Sequence, residues 1–141
     1  MTKYLISLIL IFGGLQVSAQ SDAILAKGNK VFVESKSKNE NAIKTQEELV
    51  TKLKDWAYWN VVDKETDADF KLCMETSASK GITATSWGGT SYVLVAKLMD
   101  KNDKVIWESN AYKSSPNGTN GFNSSRAVVK KLMRDLNKKF K

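Results

Sequence analysis

Residues 91–112, SYVLVAKLMDKNDKVIWESNAY, decide the fold. From Ser91 to Met99 the run is apolar on both parities apart from Lys97, which predicts a central strand covered on both sides. Asp100-Lys101-Asn102-Asp103 supplies Asn and Asp side chains that tolerate a tight turn. Residues 104–112, led by Val105, Ile106 and Trp107, then close a hairpin. Working back, Phe70, Leu72 and Met74 alternate with Lys71, Cys73 and Glu75, the period-two pattern of a strand with one buried face. Residues 30–35 (KVFVES) alternate in the same way, and residues 59–62 read as a short strand. Between these strands Thr45-Gln46-Glu47-Glu48 has the form of a capping box, and Leu49, Leu53, Trp56 and Ala57 follow on one helical face. Working forward, residues 77–90, rich in Ser, Thr and Gly, and residues 114–123, with the only Pro, read as irregular connections. Asn123-Ser124-Ser125 are N-cap candidates for a last helix. On it Val128, Val129, Leu132, Met133, Leu136 and Phe140 share one arc. The expected order is β-α-β-β-β-β-α, an α+β two-layer sandwich with a mostly antiparallel sheet of about five strands and both helices on one face.

The first nineteen residues read as an export signal. Lys3 gives a positive start, residues 5–12 are mostly bulky and apolar but too short to span a bilayer, and Val17-Ser18-Ala19 offers a small-residue cleavage site. Cutting there leaves Gln20 first, with no Cys to accept a lipid, so a soluble periplasmic or secreted chain without a transmembrane segment is expected. Residues 20–29 form a polar leader and residues 30–141 a single domain. Cys73 is the only cysteine, so no internal disulfide forms and the core alone must hold the domain. The chain has no His, which removes the usual general base and the usual zinc ligand.

Charge is unevenly placed. Residues 20–123 balance 14 basic against 14 acidic side chains, whereas residues 124–141 carry seven basic groups and a single acid, Asp135. Lys130, Lys131, Arg134 and Lys138 lie opposite the apolar arc of the last helix. Cations near its C-terminus complement the helix dipole, but Lys130, Lys131 and Arg134 extend toward mid-helix, beyond what capping requires. A solvated face is the plain reading. Binding to an anionic cell-wall polymer, lipid headgroups or an acidic envelope protein is the functional one. Nucleic acid is not expected, since no exposed aromatics interleave with these cations.

Trp87, in the Gly/Ser/Thr-rich stretch 83–90, is a second candidate contact, with folding back over the sheet edge as the alternative. Trp56, Trp59 and Trp107 sit in regular elements and read as core. Asp63, Glu65, Asp67 and Asp69 have the spacing of half a calcium loop, but Ala68 and Met74 stand where Gly and Glu are required, so no metal or cofactor is assigned. Cys73 reads as a small buried hydrophobe with no partner to activate it.

The segments Asp67-Ala68-Asp69-Phe70-Lys71-Leu72, residues 92–100 and Lys104-Val105-Ile106-Trp107-Glu108 together resemble a pattern in small exported bacterial envelope domains. These are the domains of the penicillin-binding-protein activator lipoproteins, the curli-secretion lipoprotein and the N-terminal part of the Tol translocation protein. The resemblance spans residues 30–140 and implies a non-enzymatic envelope accessory domain. The matching positions read as core, so it transfers no functional residue. The expectation is an exported, non-catalytic binding or accessory protein. Its alternatives are a small glycan hydrolase drawing two acids from Asp63, Asp67, Asp69 and Glu75, or a self-associating structural protein, for which a homodimer through the strand 92–99 is the simplest form.

Overall fold

The computed structural model describes residues 23–80, 90–114 and 124–141. In chain order these form β1 (Lys30–Ser35), α1 (Glu40–Trp56), β2 (Asn60–Val62), a 3-10 turn (Glu65–Asp67), β3 (Phe70–Lys80), β4 (Thr90–Met99), β5 (Val105–Glu108), β6 (Tyr112–Ser114) and α2 (Ser124–Lys139). The strands make one sheet in the order β2-β1-β3-β4-β5, with β6 also on β4. The β3–β4, β4–β5 and β4–β6 pairings are antiparallel. Both β1 pairings are parallel. The domain is therefore the expected α+β sandwich, built on a mostly antiparallel sheet.

The parallel pairs follow from two short returns. Helix α1 carries the chain back so that Lys30 faces Asn60 and Phe32 faces Val62. Because β2 is three residues long, the 3-10 turn need backtrack only about 7 Å to set Phe70 opposite Val31. Asp69 secures the crossing. Its backbone N–H donates to the Lys30 carbonyl (2.8 Å) and its Oδ2 accepts from the Lys30 backbone N–H (2.8 Å).

Alternation sets the buried layer. Val31, Val33, Phe70, Leu72, Met74, Leu94, Ala96 and Leu98 point to the helices and join Leu49, Leu53, Val128, Leu132 and Leu136 in a single core. Of the three tryptophans read as core, Trp59 is fully enclosed, with its indole N–H donating to the Leu25 carbonyl (2.8 Å). Trp56 and Trp107 are half-buried against the same cluster.

Three local expectations are corrected. The first helix begins at Glu40, not at Thr45, because Asn39 is its N-cap and accepts from the Ala42 N–H (2.9 Å). Thr45 lies in the helix interior, fully buried, where its hydroxyl bonds the Asn41 carbonyl (2.8 Å), the Tyr92 phenol (2.9 Å) and the Ser125 hydroxyl (3.1 Å). The Ser-rich start of the expected 77–90 connection is strand through Lys80, since the ladder to β4 uses main-chain groups that every non-proline residue carries whatever its side chain. The expected single strand over 104–112 is two strands. At the break the Ser109 N–H donates to the Ala96 carbonyl (2.8 Å), and its hydroxyl accepts from the Ala96 N–H (2.9 Å). A side-chain oxygen thus replaces a ladder carbonyl, and the chain steps out of register before β6 resumes pairing at Tyr112.

Candidate binding surface

Helices α1 and α2 run in the same direction over the sheet. Thr45, in the N-terminal half of α1, meets Ser125 at the start of α2, Glu48 lies 3.8 Å from Arg126, and Tyr58, just past the end of α1, packs on Phe140 with ring centroids 5.9 Å apart. Val128, Val129, Leu132, Met133 and Leu136 face inward, which turns the polar side of α2 outward on two flanks.

Those flanks divide the basic residues. At 100° per residue Arg126, Lys130 and Arg134 fall on the side of α1, while Lys131, Asp135 and Lys138 fall on the side of β6. The contacts agree. Lys131 Nζ donates to the Lys113 carbonyl on β6 (2.6 Å), and Asp135 accepts from the Tyr112 hydroxyl (2.7 Å). That bond is the main reason the Asp135 carboxyl lies below its ordinary value, whereas the Tyr112 hydroxyl is raised first by burial and then by the same bond. The four cations expected to act as one stripe thus belong to two surfaces.

On the α1 side an open groove of about 780 Å³ runs between the helices. Lys52 and Thr51 of α1 form one wall; Arg126, Lys130 and Arg134 form the other, with Met133 and Asn137 between them and Glu48 the only acid. Arg126 approaches Glu48 only at 3.8 Å, and Arg134 approaches Asp135 at 3.5 Å. Lys52 and Lys130 have no ion-pair or hydrogen-bond partner among the described residues. Sequence reading found Lys130 and Arg134 but missed Lys52 and Arg126. The available signal was their polar position on facing helices, which becomes a site only once those helices are known to be neighbours. Trp87, the other sequence candidate, lies outside the described residues.

Of the acids considered for catalysis, Asp69 and Glu75 are engaged, while Asp63 and Asp67 are exposed beside the 3-10 turn with no side-chain partner among the described residues. Asp69 and Glu75 are six residues apart along an extended chain, about 20 Å. Glu75 sits between Lys36 and Lys97, which hold its carboxyl below the ordinary value through hydrogen bonds. Glu65 pairs with Lys71 (2.8 Å), which also binds Asp103. A hollow of about 530 Å³ is lined by both Asp69 and Asp100, but Asp69 caps Lys30, and Asp100 accepts from the Asn102 and Lys104 N–H groups (2.8 and 2.9 Å). No group of three or more potential metal ligands occurs among the described residues. Cys73 is buried, and that burial pushes its thiol up, away from reactivity.

The sheet's second face carries no helix among the described residues. Phe32, Val62, Val93, Val95 and Met99 lie there half-buried, with Lys71, Glu75 and Lys97 between them. No described helix is long and apolar enough to cross a membrane.

Comparison by sequence finds no matching family model and no matching curated protein. Comparison by structure finds the same fold in solved structures of low sequence identity. PelC of Paraburkholderia phytofirmans, crystallised as a dodecamer, aligns over 77% of this chain and 89% of its own, with a TM-score of 0.53 and 14% identity. The lipoprotein GNA1162 of Neisseria meningitidis aligns over 78% of this chain and 99% of its own (TM-score 0.51, 12% identity). The hypothetical protein CT253 of Chlamydia trachomatis aligns over 79% and 96% (TM-score 0.53, 12% identity). This chain is thus similar in fold to PelC, to the lipoprotein GNA1162 and to CT253.

Proposed function

We propose that the protein is an exported, non-catalytic accessory protein of the bacterial cell envelope that binds an anionic partner in the groove between α1 and α2. One observation carries the reading: Lys52, Arg126, Lys130 and Arg134 converge on a single open groove that holds one carboxylate. Positive charges gathered from two helices raise the local concentration of anions more than a solvated stripe on one helix does. The engagement of Asp69 and Glu75 supports a role without catalysis, and the fold shared with GNA1162 supports a place in the envelope. The signal-like residues 1–19 support export; N-terminal sequencing of exported material should read Gln20 first, and an intact Met1 terminus would refute that part.

Cosedimentation with anionic and neutral vesicles and with cell-wall polymer, at several salt concentrations, tests the groove. The wild type should pellet with anionic targets only, and less as salt rises, because exposed charges are screened over about 8 Å at physiological ionic strength and about 3 Å at 1 M. Lys130→Gln with Arg134→Gln should weaken pelleting, Lys131→Gln with Lys138→Gln should change it less, and Trp87→Ala reports on the second candidate. A wild type that ignores every anionic target at low salt overturns the reading.

The half-buried sheet face favours self-association as a second reading, and the dodecameric assembly of PelC makes it concrete. Light scattering behind size exclusion decides it: a concentration-independent monomer excludes assembly, and a stable oligomer that Val95→Lys dissociates supports it.

A further inference from the structure

Beyond the cations that line the groove lies an aromatic cluster. Trp56 lies one turn beyond Lys52 on α1, and Phe140 one turn beyond Leu136 on α2, at the end where both helices finish. There Trp56 and Tyr58 stack with ring centroids 4.8 Å apart and planes 14° from parallel. Tyr58 leans on Phe140 and Lys139 Nζ lies 5.6 Å from the Phe140 ring centroid. Trp56, Tyr58 and Phe140 are all half-buried, so each keeps part of its surface in solvent. Arg126, Lys130 and Arg134 succeed one another at i, i+4 and i+8, a cation about every 6 Å along α2. Ladder and aromatic stack together extend over about 20 Å, the rise from Arg126 to Phe140.

We propose that the groove holds a linear acidic glycan, with carboxylates along the Arg126–Lys130–Arg134 ladder and Lys52, and one sugar ring against the Trp56–Tyr58 stack. The proposal rests on the anion-binding reading above and names its ligand class. Repeated cations call for a repeated anion. An aromatic face at one end suits a pyranose ring, whose apolar C–H surface packs on it. A single-stranded nucleic acid fits less well, because it needs aromatic platforms interleaved with the cations, one per stacked base, and here the aromatics stand only at the end. Glu48, beside Arg126 at the opposite end, opposes further anions and marks the boundary of the ladder.

The test uses oligogalacturonates of increasing length, their methyl-esterified neutral counterparts, and oligothymidylates, each titrated into the whole protein by calorimetry and by amide and indole NMR. Affinity for oligogalacturonate should rise with length until the chain spans the groove and then level off. Lys130→Gln with Arg134→Gln should lower it about tenfold, from two exposed charge contacts. The indole N–H signal of Trp56, identified as the one lost in Trp56→Phe, should shift on binding while that of the enclosed Trp59 stays. Lys52→Gln, at an exposed position, provides a variant that leaves the core untouched. Equal affinity for the neutral esters, or affinity independent of length, overturns the glycan ladder. Tighter binding of oligothymidylate assigns the groove to nucleic acid and overturns it too. Binding of polyanions with no Trp56 response refutes the ring contact while leaving the anionic groove standing, and no binding of any polyanion removes both.

Discussion

Thr45 is the position where one atom couples the most of this structure, and its loss should be measurable as a coupling. The side chain is fully buried, and its hydroxyl joins α1 to β4 through Tyr92 and to α2 through Ser125. Thr45→Val keeps the shape and has nearly the same helix propensity, so the change isolates the hydroxyl. The Tyr92 phenol, itself buried, then loses the only hydrogen bond it makes among the described residues. A buried polar group left unpaired costs about 1–3 kcal/mol, and we expect about 2 kcal/mol here. Tyr92→Phe alone is milder, about 0.5–1 kcal/mol, because the Thr45 hydroxyl retains Asn41 and Ser125. The double variant removes donor and orphan together and should cost about 1 kcal/mol less than the sum of the two singles. Urea melts at constant m-value read this directly. On heating, each kcal/mol corresponds to roughly 3–5 °C for a domain of this size. Strict additivity of the two substitutions would show that the Thr45–Tyr92 contact carries no weight and would refute the reasoning.

Trp59→Ala should cost about 3–5 kcal/mol, because a fully enclosed indole is removed and its bond to Leu25 is lost, whereas Trp107→Ala, half-buried, should cost about half as much; chemical melts of the two rank them. Ser109→Ala leaves the Ala96 N–H without its acceptor and should destabilise by about 1–3 kcal/mol, with faster hydrogen exchange at Ala96 as its signature. The Asp135 carboxyl has a folded pKa below its ordinary 3.8, so its contribution is fully present above that value and fades as pH falls through the folded pKa. The stability gap between wild type and Asp135→Asn should therefore be constant from pH 5 to 7 and shrink below about pH 4 in acid titrations of stability. A gap that grows on acidification would contradict the Tyr112–Asp135 bond.

The parts of the fold visible in the sequence are those that a one-dimensional period can express. Phe70-Leu72-Met74 and the arc Val128-Val129-Leu132-Met133-Leu136 each point one way by their own spacing, and both landed in the core. What escaped depends on neighbours in space. Nothing in residues 60–62 tells that they pair parallel with β1, because strand direction is set by the return through α1. Thr45 imitates a cap because Glu48 follows it at the right interval, yet the hydroxyl answers to Tyr92, 47 residues away. The helix is instead capped by Asn39 and opens at Glu40. The site behaved in the same way. Lys130 and Arg134 were evident from charge alone, but Lys52 and Arg126 belong to the groove only through the side-by-side packing of two helices, and the same packing leaves Lys131 and Lys138 on the other flank.

The Ser109 break bears on how copies of this chain can meet. A sheet normally offers its outermost strands as templates for another chain, and a long, flat, unpaired edge invites strand addition. Here one edge is β2, three residues long, and the other is divided at Ser109 into β5 and β6, of four and three residues. Each piece is only about 10–14 Å of template, and the second edge changes register midway. The longest open template lies inside these borders: β1 pairs β3 only from Phe70 to Met74, so residues 75–80 of β3, about 20 Å, have no partner on that side among the described residues. Strand addition by another copy therefore has its template on the distal half of β3 and not on the outermost strands, which are too short or out of register to offer one.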